Sequence, residues 1–167
     1  MAAKQSGATT QDPGLVLTLP SNLEIVMTRV FDAPRHLVFE AHTKCEHIKQ
    51  WWGPRDFTVA SCEIDLRPGG SWRFVQHGPD GKEYAFRGEY HEIVPDERLV
   101  QTFEFEQMLG HVSLETLTLV EEDGKTILRS ASLFDSVEDR DGMLESGMED
   151  GARETWDRLA EHLGTMQ

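Results

Sequence analysis

Between Phe57 and Phe134 the chain is cut by turn chemistry at short intervals, and this limits the fold more than any other feature. Arg67-Pro68-Gly69-Gly70 suits a type II turn, in which proline sets the first central φ and glycine takes the positive φ of the second. Gly78-Pro79-Asp80-Gly81 suits a type I turn, and Val94-Pro95-Asp96-Glu97 is another proline turn. Gln107 to His111 is a short loop around Gly110, and Glu122-Asp123-Gly124-Lys125 carries the Asp-Gly pair of a tight hairpin. Tight turns join antiparallel neighbours, so these five turns describe a six-stranded meander. Upstream, Leu23, Ile25, Met27, Arg29 and Phe31 alternate with Glu24, Val26, Thr28 and Val30 in a strand that stops at Asp32-Ala33-Pro34. Seven strands are expected.

The strand faces are unequal. Leu99, Gln101, Phe103 and Phe105 share one side, as do Trp72 with Phe74, and Tyr84 and Phe86 with Gly88 and Tyr90. An aromatic face of this kind needs a cover. The C-terminus supplies it, because Leu144, Met148, Ala152, Thr155, Leu159 and Leu163 fall at helical spacing, with Trp156 beside them and Gly164 as a stop. Ser136 and Ser146 are read as caps, each followed three residues later by an acid. Gly142, Gly147 and Gly151 take bulk off the helical segment and leave space above the sheet. Between the first strand and the meander, Leu37, Val38, Phe39 and Ala41 mark one short helix. Thr43-Lys44-Cys45-Glu46 reads as a capping box for a second, which ends at Trp51-Trp52-Gly53-Pro54. The class is α+β.

With 167 residues, the chain suits one domain over residues 21–167, preceded by a flexible tail over residues 1–20 in which Leu15-Val16-Leu17 is the one apolar patch. Thirty acidic against sixteen basic residues give a net charge of −14, which disfavours nucleic acid and anionic lipid surfaces as partners. No run approaches the length of a membrane span. Cys45 and Cys62 form no CxxC pair and are too few for a disulfide framework. Without an apolar N-terminal segment of the secretory type, a reducing cytoplasm is the expected location.

Arg29-Val30-Phe31-Asp32-Ala33-Pro34, Trp51-Trp52-Gly53-Pro54, Asp65-Leu66-Arg67-Pro68-Gly69-Gly70 and Gly147-Met148-Glu149-Asp150-Gly151, in this order, resemble the bacterial relatives of the activator of the ninety-kilodalton heat-shock protein ATPase. The likeness runs from about Leu23 to Leu163. It implies the helix-grip fold shared with polyketide cyclases, steroidogenic lipid-transfer domains and birch-pollen-allergen-like proteins: a curved seven-stranded antiparallel sheet, two short helices and a long C-terminal helix over the concave face. Members of that superfamily bind varied apolar molecules, and some are enzymes. The eukaryotic activators carry a further N-terminal domain that looks like a main chaperone contact. Some twenty polar residues cannot replace it, which argues against a chaperone partner. Where many relatives show Gly-Trp, this chain has Gly151-Ala152, a smaller pair that enlarges the space beneath the helix.

The expected site is therefore a cavity for a small hydrophobic or aromatic molecule between sheet and helix. Its expected lining is Trp52, Trp72, Phe74, Phe86, Tyr90, Phe103, Phe105, Met108, Met148, Ala152 and Trp156. Tyr90, Gln101 and Glu92 are the candidate polar groups within it, and a cyclase- or hydrolase-like reaction would use Tyr90 or Glu92 as acid or base. A role beside a chaperone or in a homodimer is the remaining alternative. No metal or other cofactor is expected, since His42, Cys45 and His47 are too few and point differently. Asp65 with Arg67 reads as a turn-fixing pair, and Glu89, His91 and His77 as exposed polar groups.

Overall fold

The computed structural model describes residues 14–167. In chain order the elements are β1 (Val16–Thr18), β2 (Glu24–Phe31), α1 (Arg35–Thr43), α2 (Cys45–Trp51), β3 (Thr58–Ile64), β4 (Ser71–His77), β5 (Glu83–Val94), β6 (Arg98–Phe105), β7 (Val112–Glu122), β8 (Lys125–Leu133), α3 (Val137–Glu145) and α4 (Met148–Thr165). The strands form one antiparallel sheet of eight, in the order β1-β2-β8-β7-β6-β5-β4-β3. The meander from β3 to β8 follows the turns. Gly69 takes the positive φ of its turn, and Asp123 with Gly124 both lie at positive φ in the β7–β8 hairpin, as a primed two-residue turn requires.

The expected strand count of seven is corrected by β1, which pairs with β2 through Val16 and Thr28 and buries Leu15 beside it. Three residues are too few for a period-two pattern to declare itself. Of the tail expected over residues 1–20, residues 1–13 lie outside the described residues, and the C-terminal part contributes this strand.

The core lies on one face of the sheet. Phe31, Trp72, Phe74, Tyr90, Leu99, Leu119 and Leu128 from the strands meet Val38, Phe39, Ile48 and Trp51 from α1 and α2, and Trp156, Leu159 and Leu163 from α4. Arg158 fastens α4 across the α2–β3 loop, its guanidinium donating to the carbonyl oxygens of Gly53 (2.8 Å), Pro54 (3.0 Å) and Gln50 (3.1 Å).

Four local expectations are corrected. Thr43 does not cap α2. Its hydroxyl turns back to donate to the Phe39 carbonyl at 2.9 Å, and Lys44 occupies the cap without a side-chain bond. Ser136 does cap α3, accepting from the Asp139 N–H at 3.0 Å, whereas Ser146 closes the end of that helix and Gly147, at φ 85°, precedes α4. Gly164 does not stop α4, which continues to Thr165. Finally, Cys45 at the start of α2 and Cys62 in β3 form a disulfide. Disulfides persist in oxidising compartments, so the expectation of a reducing cytoplasm loses the support of the cysteine pattern. No helix among the described residues is long and apolar enough to cross a membrane.

Candidate functional site

Alternation along each strand decides which side chains look under α4. On β4 these are Trp72, Phe74 and Gln76; on β5, Tyr84, Phe86 and Tyr90; on β6, Leu99, Gln101 and Phe103; on β7, Glu115 and Leu117. Trp51, Trp52, Gly53 and Pro54 close one side. Met148, Gly151, Ala152, Thr155 and Trp156 of α4 form the roof. Together they line a partly open cavity of about 600 Å³. Interiors are normally filled to crystal-like density, so a space of this size under a helix is a feature of the architecture. Gly151 helps to hold it open, since a Cβ there would meet only Pro54.

The two tryptophans after α2 divide their roles. Trp51 is buried and donates its indole N–H to the Ala41 carbonyl at 3.0 Å. Trp52 is half-buried and meets Phe74 and Phe86 in T-shaped contacts, with ring centroids 5.0 and 5.1 Å apart. Trp72, Phe74, Phe86 and Phe103 continue this aromatic wall across the sheet. The Trp72 indole nitrogen is buried and has no hydrogen-bond partner.

The cavity thus brings together Trp52, Trp72, Phe74, Phe86, Tyr90, Phe103, Met148, Ala152 and Trp156. Phe105 and Met108, expected in the lining, are placed outside it. Phe105 is the last residue of β6, and its ring stacks on Phe86 and Tyr84 beyond the lining. Met108 sits in a single 3-10 turn and is 56% exposed.

Among the polar groups, Glu92 is corrected most sharply. Simple alternation would put Glu92 on the side of Tyr90, but the β5–β6 register shifts between these two residues. Ile93 turns to the core instead, and Glu92 lies outside, paired with Arg98 at 2.9 Å. Tyr90 is buried in the wall, and burial raises its hydroxyl pKa, so it stays protonated. Asp65 and Arg67 form an exposed pair beside their turn, and His77 pairs with Glu83.

The carboxyl that does reach the cavity is Glu115. It stands in a row across four strands, with Gln101 as its partner on β6, Ser132 on β8, and Tyr90 beyond Gln101 on β5. Burial pushes its pKa up to about 7, against a smaller lowering by a hydrogen bond with Ser132. The signal was present in the sequence: Glu115 alternates onto the side of Leu117 and Leu119, where a solvent-facing acid does not belong. His42 also lines the cavity. Its Nδ1 lies 2.8 Å from the Val38 carbonyl, and burial lowers its pKa, leaving the ring neutral. Among the described residues no group of three His, Cys, Asp or Glu side chains could hold a metal ion. His47 instead shares a hydrogen bond with His162 at 2.9 Å and faces Glu40 at 3.2 Å.

An antiparallel sheet gripping a C-terminal helix, with an aromatic cavity between them, defines the helix-grip class. Within it, the profile of the family described as activator of Hsp90 ATPase homolog 1-like protein matches residues 32–164, and the chain belongs to that family. Solved structures show the same fold. A Rhodobacter sphaeroides protein superposes with a TM-score of 0.85 at 24% identity, over 90% of this chain and 99% of that one. A Nitrosomonas europaea protein gives 0.81 at 23%, over 89% and 98%. A Silicibacter pomeroyi protein named as AHSA1 gives 0.71 at 19%, over 86% and 99%. At these identities the likeness establishes the fold alone. A search of curated proteins finds none that matches.

Proposed function

We propose that this protein binds a small, mainly apolar aromatic molecule between the sheet and α4. One observation carries the reading: the space beneath the helix, about 600 Å³, is walled by Trp52, Trp72, Phe74, Phe86 and Phe103 and contains few polar groups. Sites for small molecules fall in the range of about 300–1,000 Å³ and have this character, an apolar wall with a few orienting groups. Burial of apolar area supplies affinity at about 25 cal/mol per Å² before the costs of association. The surface charge of −14 disfavours polyanionic partners.

Thermal unfolding of the purified chain with increasing naphthylmethanol, a neutral aromatic probe, tests this. A melting temperature that climbs with probe concentration, together with a one-to-one adduct in native mass spectrometry, is the expected result. No shift and no adduct, with this probe or with larger neutral aromatics, would contradict the reading.

A further inference from the structure

Among the described residues the cavity wall contains no lysine or arginine, and its one acidic side chain is Glu115. An anionic molecule would meet no countercharge there and would face a carboxyl, while a neutral one would leave Glu115 without a charged partner. A cationic ligand answers both. Trp52, Phe74 and Phe86 line the same space as Glu115, and aromatic rings attract a desolvated cation. The chain's net charge of −14 draws cations towards it from a distance.

We propose that the ligand is an apolar amine, whose protonated nitrogen pairs with the Glu115 carboxylate while its aromatic or aliphatic body packs on the tryptophan and phenylalanine wall. The Gln101 side-chain oxygen, on the neighbouring strand, accepts a second N–H from the ammonium, and Ser132 steadies the carboxylate from the other side. Other titrating groups at the cavity are His42 on α1 and Tyr84 and Tyr90 on β5. The lining residues of α2, α4, β2, β4, β6 and β8 include none. Burial keeps His42 neutral, and Tyr90 remains protonated, so Glu115 alone changes charge near neutrality. Binding of the amine draws the proton off Glu115, and affinity falls about tenfold per pH unit below about 7.

The inference rests on the cavity being a ligand site, and the test separates the two. Calorimetric titration of the full chain at pH 8 compares naphthylmethylamine, naphthylmethanol and naphthoic acid, three probes of similar shape and different charge. The amine is expected to bind at least about tenfold more tightly than the alcohol, and the acid most weakly. In Glu115→Gln the amine is expected to lose its advantage over the alcohol. In the wild type, which avoids any question of folding in the variant, amine affinity declines from pH 8 to pH 5 while alcohol affinity stays level. Alcohol binding without preference for the amine overturns the amine assignment and leaves the aromatic site standing. So does an amine preference that survives Glu115→Gln. Binding of none of the three overturns both.

Discussion

Burial lifts the Glu115 carboxyl from an ordinary 4.5 to about 7, so between those values the folded chain holds a proton that the unfolded chain releases. The sign follows from this. The group favours folding as pH falls from 7 towards 4.5 and opposes it above 7, where a buried charge must be kept. Glu115→Gln removes that opposition. Urea unfolding is expected to show the variant more stable than wild type at pH 8 by up to about 3 kcal/mol, with the gap closing near pH 5. Gly88 illustrates a constraint of the opposite kind. It lies opposite Trp72 on β4, and a Cβ there would collide with the Thr102 carbonyl oxygen and the Trp72 indole. Gly88→Ala is expected to lower unfolding free energy by about 2–3 kcal/mol in the same experiment, since neighbouring backbone cannot yield. At this scale the sequence was partly legible. The aromatic wall followed from alternation, as did the inward side of Glu115, but the outward turn of Glu92 did not. It turned on a register shift in β5, which no period-two count can locate.

At the scale of elements, the strands were readable because their turns are local chemistry. Gly69 and the Asp123-Gly124 pair need nothing from the rest of the chain to declare themselves. The helix ends were less so, because a cap depends on where the hydroxyl finds its best acceptor. Thr43 prefers the Phe39 carbonyl behind it. The Cys45–Cys62 disulfide is a product of packing, since docking α2 against β3 brings together residues separated by 17 positions. Closing a loop of that length restricts the unfolded chain by about 3 kcal/mol. Cys45→Ser with Cys62→Ser is therefore expected to lose about that much stability, and wild type in dithiothreitol to lose the same. A variant unfolding at the wild-type urea midpoint would show that the bond contributes nothing. Arg158 ties α4 to the carbonyls of the α2–β3 loop. Arg158→Met removes these charge-assisted bonds, and a loss of about 2 kcal/mol is expected on chemical unfolding.

Over the whole molecule, the meander from β3 to β8, the helix order and the family were visible in the sequence, because turn spacing, the long apolar stripe and four short motifs agree with one another. The volume of the cavity was not, because a stripe of apolar side chains reads the same whether it packs solidly or bridges a gap. Ala152 lies in the roof of this gap and follows Gly151. A large side chain there would occupy the space that the proposed ligand needs. The most direct test is titration of naphthylmethanol into wild type and Ala152→Trp, with the variant's cooperative thermal unfolding checked first. A variant that folds and does not bind, beside a wild type that does, is the expected outcome. A folded Ala152→Trp that binds the probe as tightly as wild type would contradict it.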